Sequence, residues 1–501
     1  MRRWGFLLAA VIGALAFPPV SLWPLAYVAL IPFLWAATDP ARDRVFGPAW
    51  RAGLLFYGGV LYWVGLNSGA PWWASAIAGL ALIAVLATTW GMTAWVVQRT
   101  ARAINFRAAA LIFVAAYQAI DIFWGTGEMS FPWATWALPL TASVPALQLA
   151  EVVDAQGLSF LVLIVNALLF LAWQTRRRPY ALIGAALIVL PLLWGAWRST
   201  QFDGGARTLE VAAVQANIPA ELKWDMSSAE ILDRHVALSD SIARISTLDF
   251  LCWPETAVPM PIRFRQWAAD SLRMLSERTN SVILTGGTDY DVLADGEQVP
   301  YNAAFVVRPD THGFQRSSKI HLVPFGERIP GQNWFPFLGN LHLGQAEFKP
   351  GDSVVVFSGG VIPPFTCLIC FEVVYPDIAA DAVLNGAQFF GHVTNDGWYG
   401  HSSGPYQHLA LARLRAVAMR RAVVRSANTG ISAIILPSGR YADRLGYDRT
   451  GVVSGAIPMR TDITVAARLA TFWPTFYYGI LALVIAALWM HVQRYGAPES
   501  S

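Results

Sequence analysis

Three residues combine a reactive type with a favourable place, the junction between an apolar strand and the loop after it. Glu255 follows such a run in Cys-Trp-Pro-Glu-Thr, and Lys319 lies in Ser-Ser-Lys-Ile-His-Leu-Val-Pro-Phe-Gly-Glu-Arg. Cys370 closes Cys-Leu-Ile-Cys, just before Phe371-Glu372. A thiol can attack a carbonyl, a carboxylate can take its proton, and an ammonium can stabilise the resulting oxyanion. Singly, each has a plainer explanation. A glutamate after a strand is commonly solvated, a lone lysine is commonly a surface charge, and a cysteine at a strand end is commonly a small buried hydrophobe. Lys319 differs in being followed by an apolar stretch that should be buried.

Other thiol chemistry fits less well. Cys367-x-x-Cys370 has the spacing of a redox pair, but such a pair opens a helix, whereas this one lies in a strand-like run on opposite faces. Zinc would need a second ligand pair. His321, His392, His401 and His408 invite a Cys–His dyad, with His392 the best placed, and the Glu/Lys pair is preferred to it. With three cysteines in all (Cys252, Cys367, Cys370), no disulfide framework is expected, and no metal or cofactor site is assigned.

These residues need a sheet to hold them. Strands are expected at 208–216, 248–253, 281–286, 301–308, 364–370, 388–394 and 431–436, and amphipathic helices at 228–246, 263–279 and 403–421. The alternation predicts an α/β domain over 207–460, with linkers near 198–207 and 462–471.

The rest of the chain has another character. Of 501 residues 55% are hydrophobic and only 14% charged, where a globular domain carries about 25%. The deficit lies in residues 1–200, which are nearly free of Asp, Glu and Lys. Runs of about 20 apolar residues can cross a bilayer. They predict spans at roughly 5–21, 22–38, 51–68, 72–98, 107–125, 156–174, 179–197 and 472–492, about eight in all. The domains expected are therefore an N-terminal bundle over 1–198, the soluble insert over 207–460 and a last helix over 472–492. Arg2 and Arg3, Arg42 to Arg51, Arg99 to Arg107, and Arg176 to Arg178 fall in every second loop, while the loops near 18–24, 67–71 and 126–155 have no Lys or Arg. Helix capping would not skip alternate loops, so the pattern predicts a cytoplasmic N-terminus and an insert on the outer face. The loop at 126–155, acidic and rich in Trp and Pro, is expected along the outer membrane surface. A net charge of +3, carried by arginines in short loops, gives no sign of a nucleic-acid partner.

Trp-Pro-Glu255, then Lys319 in Lys-x-His-Leu-Val-Pro-Phe-Gly-Glu327, then Cys370 with Glu372, resembles the nitrilase superfamily triad. Thr-Asn-Asp-Gly-Trp398-Tyr-Gly, Gly-Pro-Tyr-Gln-His408, Arg-Ser-Ala-Asn-Thr-Gly430-Ile, and Ala-Asn-Ile-Pro-x-x-x-Lys-Trp224-Asp narrow it. With the flanking spans, the chain is similar to the bacterial apolipoprotein N-acyltransferases over nearly its whole length. It departs at Phe371, where many members carry Tyr.

The resemblance implies a nitrilase-like α-β-β-α sandwich on a multi-pass bundle in the bacterial inner membrane. It implies acyl transfer from a phospholipid to the α-amino group of a diacylglyceryl-cysteine lipoprotein, the last step of lipoprotein maturation, through a thioester on Cys370. Glu255 would be the base and Lys319 the oxyanion partner. Glu327 and Glu372 would orient Lys319 or assist proton transfer, and Trp224, Trp398, Phe371 and Asn302 would contact substrate. Two rivals remain open: a membrane-tethered amidase, and a transporter or receptor, for which Asp121 is the main intramembrane ionisable group.

Overall fold

The computed structural model describes residues 2–205, 207–219, 225–324, 326–329, 332 and 347–495. Trp224 lies outside them. The chain divides into two units, one of residues 1–65, 76–198 and 469–501, the other of 66–75 and 199–468.

Among the described residues five helices are long and apolar enough to cross a membrane: Trp72–Ala103, Phe106–Trp124, Ala150–Thr175, Arg178–Arg198 and, at the C-terminal end, Phe472–Arg494. The other three expected spans are shorter or broken. Gly5–Ala16 stops before Pro18-Pro19, and Phe46–Leu61 passes into a 3-10 turn. The run at 22–38 is split into a 3-10 turn, Trp23–Tyr27, and a short helix, Ile31–Ala37, each with proline near its start.

That break frees backbone groups where apolar surroundings cannot satisfy them. Asn166, buried on the helix Ala150–Thr175, does so. Its Oδ1 accepts from Leu30 N–H at 2.8 Å, and its Nδ2 donates to the Ala26 and Val162 carbonyls at 2.8 Å each. Asn166→Leu orphans two backbone groups and is expected to cost about 2–4 kcal/mol. Loss of several degrees in thermal unfolding of the detergent-solubilised protein, beside Asn166→Gln, checks this.

The Trp- and Pro-rich stretch expected along the outer membrane surface, 126–155, is exposed at 126–129 and packs largely into the first unit beyond them. Trp133 and Trp136 are buried; Trp136 stacks on Phe56 at 5.5 Å and donates its Nε1–H to the Tyr117 hydroxyl at 3.0 Å. Burying large rings outweighs leaving them amphipathic once the indole N–H has a partner. The helix expected from 156 begins at Ala150, and Glu151 pairs with Arg198 at 2.6 Å.

The second unit holds two sheets. The strands in chain order are β1 Thr208–Gln215, β2 Phe250–Cys252, β3 Val258–Pro261, β4 Val282–Val292, β5 Gln298–Val307, β6 Gln315–Ser318, β7 Val356–Phe357, β8 Phe365–Ile369, β9 Phe389–Thr394, β10 Ala422–Ala427, β11 Ser432–Ile435, β12 Tyr441–Leu445 and β13 Gly451–Pro458. One sheet runs β13-β1-β2-β4-β5-β6, with β3 beside β4, and the other runs β12-β11-β10-β9-β8-β7. Strands β1, β2 and β4 are parallel, as are β8, β9 and β10.

Period-two alternation builds two layers of core. Val211 and Ala213 face Phe365, Ile369, Phe389 and Val424 between the sheets. Ala212 and Val214 face the other way, into a cluster with Leu232, Leu272 and Leu275 from the helices Ser228–Ala243 and Gln266–Thr279. Pro376–Leu384 and Gly404–Met419 accompany β8 and β10 of the second sheet. The result is the α-β-β-α order. Cys252 and Cys367 both belong to the inter-sheet core, where burial pushes their thiols up.

Neither expected linker is loose at its described residues. Phe202 is buried beneath Arg420, 3.9 Å from its guanidinium, and Asp203 accepts from the Ser438 hydroxyl at 2.7 Å. Ala466 and Ala467 are buried in a short helix.

Candidate active site

The site is assembled where the parallel strands end, the usual place for function in such sheets. Glu255 lies three residues beyond β2, Cys370 directly beyond β8, and Asn395 and Asp396 directly beyond β9. Lys319 follows β6, its backbone N–H bonded to the Asn302 carbonyl at 2.8 Å. The strand expected to end at Cys370 ends instead at Ile369. Cys370 has φ +52° and opens a 3-10 turn, which takes its side chain out of the strand's alternation.

Lys319, Glu255 and Glu327 form one buried charge cluster. The Lys319 ammonium is 3.4 Å from Glu255 Oε1 and 2.9 Å from Glu327, and its side chain is 1% exposed. Burial opposes that charge, but the Glu327 and Glu255 carboxylates outweigh it and hold the lysine pKa well above the usual range. The second oxygen of Glu255 accepts from Asn395 N–H at 3.1 Å, and Glu327 Oε2 accepts from Val323 N–H at 2.8 Å.

Asn302, expected at the substrate, is committed to this cluster. Its amide nitrogen donates to Glu255 Oε1 at 2.8 Å and to Glu327 Oε1 at 2.7 Å, fixing both carboxylates beside the lysine. Its donors are thus spent on protein, while its buried Oδ1 has no partner among the described residues.

Glu372 acts on the backbone around Lys319. Its oxygens accept from the backbone N–H groups of Ile320 at 2.6 Å, His321 at 3.4 Å and Ile369 at 2.8 Å. It ties the Lys319 loop to the end of β8, so it places the lysine through the main chain. Burial raises its pKa against those N–H donors.

The Cys370 sulfur senses Glu255, Lys319 and Asp396 and the hydroxyl of Thr394. Burial and then the Glu255 charge push its pKa up, while Lys319 pulls it down; the net shift is upward, so at neutral pH the group is a thiol. Phe371 is buried and packs edge-on against Tyr375 at 5.3 Å. Trp398 is half-buried, and its carbonyl accepts from Ser68 N–H at 2.9 Å, so the segment 66–75 belongs to this unit.

The histidines do not form a dyad with the thiol. His392 and His408 both point Nε2 at the Cys370 carbonyl oxygen, at 3.1 and 3.0 Å. His321 stacks on Tyr375 at 4.0 Å, and His401 is 3.6 Å from Asp448. Behind them Asp396 accepts from Arg425 at 2.6 Å, from Thr394 at 3.0 Å and from His408 Nδ1 at 2.8 Å. Arg425 and His408 hold the Asp396 pKa, which burial alone would raise, down at about 2. Asp396, Thr394 and Arg425 lie in the quoted motifs, but the sequence assigns them no role. The signal was a polar run, Thr-Asn-Asp, directly after an apolar strand. Among the described residues no group of His, Cys, Asp and Glu has the geometry of a metal site.

Two family models cover most of the chain. The apolipoprotein N-acyltransferase N-terminal domain matches residues 9–168, and the carbon-nitrogen hydrolase domain matches residues 210–465. An apolipoprotein N-acyltransferase of Geobacter metallireducens is 31% identical, over 90% of this chain and 88% of that protein. One of Azotobacter vinelandii is 32% identical, over 98% of this chain and 96% of that protein. The chain belongs to the apolipoprotein N-acyltransferase family.

It is thus a membrane-associated acyltransferase carrying a carbon-nitrogen hydrolase domain. A solved carbon-nitrogen hydrolase of Helicobacter pylori G27 is similar at 12% identity and TM-score 0.40, over 54% of this chain and 93% of that one. Membership narrows the rivals. The N-terminal model is that of an acyltransferase and the second that of a hydrolase, so both point to an enzyme rather than to a transporter or receptor.

Proposed function

We propose that this acyltransferase moves a fatty acyl chain from a phospholipid to the α-amino group of a diacylglyceryl-cysteine at a lipoprotein N-terminus, through a thioester on Cys370. The observation that carries the reading is the buried Glu255–Lys319–Cys370 cluster in a chain of this family. Cys370 attacks the ester carbonyl while Glu255 takes the thiol proton, since the raised thiol pKa leaves little free thiolate. The oxyanion forms beside the Lys319 ammonium, held in place by Glu327 and, through the backbone, by Glu372. The C–O bond breaks, the proton passes from Glu255 to the leaving oxygen, and lysophospholipid departs. The lipoprotein amine then attacks the thioester, the C–S bond breaks, and the amine proton returns through Glu255 to the thiol.

Trp398 and Phe371 are assigned to the lipid entrance in this scheme, as is Trp224. The domains assigned are 1–198 and 472–492 in the cytoplasmic (inner) membrane and 207–460 on its outer face, an orientation that rests on the alternation of arginines between loops. Both substrates are then anchored in the leaflet beside the site.

Intact-mass spectrometry after incubation with phospholipid tests the reading. A gain of one acyl chain on Cys370, lost when a diacylglyceryl-peptide is added, is expected. Folded protein that never gains the adduct, yet releases ammonia from small amides, would transfer the site to the amidase rival.

A further inference from the structure

Cys370 has φ +52°, a left-handed backbone that costs a non-glycine residue energy and persists only where its surroundings impose it. The surroundings are specific. His392 Nε2 and His408 Nε2 converge on the Cys370 carbonyl oxygen from two elements, β9 and the helix Gly404–Met419, at 3.1 and 3.0 Å. Both rings are buried.

We propose that His392 and His408 are positioning residues: they clamp the Cys370 carbonyl and so fix the left-handed turn from which the thiol is presented.

The clamp is itself braced. Arg425 Nη1 lies 3.0 Å from His392 Nδ1, and Arg425 Nη2 donates to Asp396 Oδ2 at 2.6 Å. Asp396 Oδ1 receives His408 Nδ1 at 2.8 Å, and Arg425 Nε is anchored on the Ile431 carbonyl at 3.0 Å. A side chain at Gly430 would collide with the Asp396 carboxylate, so the bracket also needs a glycine there. A plainer reading treats these groups as a self-satisfied polar cluster at a sheet end. Such a cluster has no need to bring two N–H donors onto one carbonyl, that of the only cysteine with a left-handed backbone.

The two donors differ in proton chemistry. Arg425 Nη1 is nearer His392 Nδ1, at 3.0 Å, than Nε2, at 3.3 Å, which favours the tautomer with Nε2–H for the carbonyl, and burial with Arg425 keeps the ring neutral, its pKa well below the usual value. His408 stands between two acceptors, the Asp396 carboxylate and the Cys370 carbonyl, so it clamps fully only with a proton on each nitrogen. The charged or titratable groups facing it are Arg425, Asp396 and His392, with Lys319 and Glu255 beyond the thiol. Burial and then Arg425 lower its pKa, against Asp396. Its second proton is therefore present in acid and lost as pH rises, while the His392 bond stays.

Iodoacetamide labelling of the full-length detergent-solubilised protein, read by peptide mass spectrometry, tests this without any lipid. A failed clamp and a failed acyl-transfer reading are therefore distinguishable, although the clamp's importance rests on Cys370 being the nucleophile. His392→Gln is expected to change the Cys370 labelling rate about tenfold at every pH, with Cys252 and Cys367 still protected. Wild-type labelling should show a step on the acid side of the usual histidine range, besides the rise from thiol ionisation, and His408→Gln should lack it. An unchanged rate in a protected His392→Gln protein overturns the proposal. So does a His408→Gln profile that superimposes on wild type, and this second comparison decides if His392→Gln does not fold.

Discussion

Cys370→Ala is expected to abolish acyl transfer, by at least about 10³–10⁴-fold in kcat, while leaving the fold unchanged. The alanine fits wherever the cysteine does. It removes the one thiol outside the closely packed inter-sheet core, and neither remaining cysteine can substitute: Cys252 and Cys367 are locked between the sheets with raised pKa values. Cys370→Ser is the more revealing variant. An oxygen ester on the protein reacts with amines far more slowly than a thioester, so the serine enzyme should accumulate acyl adduct and fail to discharge it. The pH dependence has a definite sign. Because the Cys370 pKa is raised, the unaided thiolate fraction grows with pH throughout the range below about 9. Loss of Glu255 as base, in Glu255→Gln, should leave residual acylation that climbs with pH where wild type is flat. Single-turnover acylation between pH 6 and 9 distinguishes the two. A Cys370→Ala protein with wild-type turnover would remove the thioester from the mechanism.

Lys319→Met should be the second large effect, and it has two separable parts. The ammonium neutralises two buried carboxylates at 3.4 and 2.9 Å. Removing it strands them, a change that typically costs about 3–5 kcal/mol. It also removes the oxyanion partner, worth about 10²–10³ in kcat. The double variant Lys319→Met with Glu327→Gln separates them: stability should return in part, because one stranded charge has gone, and activity should not. For a lysine whose folded pKa is raised, the linked stability is fully present below the unfolded value near 10.4 and is lost only as pH climbs through the folded one. The stability difference between wild type and Lys319→Met should therefore stay constant from pH 6 to 9. Thermal unfolding across that range, alongside single-turnover kinetics, measures both parts.

Much of this was legible in the residues themselves. The strands that carry the site, β2, β8 and β9, are short apolar runs that end at a polar group, and the expected segments 248–253, 364–370 and 388–394 overlie them. Strand β10 was hidden because Arg420, Arg421 and Arg425 make its sequence look solvated; all three guanidinium groups are buried on carbonyls, on a carboxylate or against a ring. Half-exposed strands such as β12 lack the alternation that marks a buried one. Within the site, residue types were readable and partners were not. Asn302 looks like any strand polar residue until the fold sets its amide between two carboxylates, and Glu372 looks like a second acid until its oxygens are seen on main-chain N–H groups. Such pairings join residues far apart in sequence, and only the sheet order decides them. In the first unit, hydropathy measured apolar length but not continuity, which prolines at 24 and 32 interrupt.

The bracing of that interrupted segment by Asn166 also orders events in time. Ala26 and Asn166 are 140 residues apart. At about 5–20 residues per second, the ribosome reaches the asparagine roughly 7–28 s after the turn it must satisfy. During that interval the segment 22–38 has backbone groups without their final partner, so it is poorly suited to settle alone in a lipid environment. The early part of the chain must wait, in the company of water or of the insertion machinery, until the helix Ala150–Thr175 arrives to complete it.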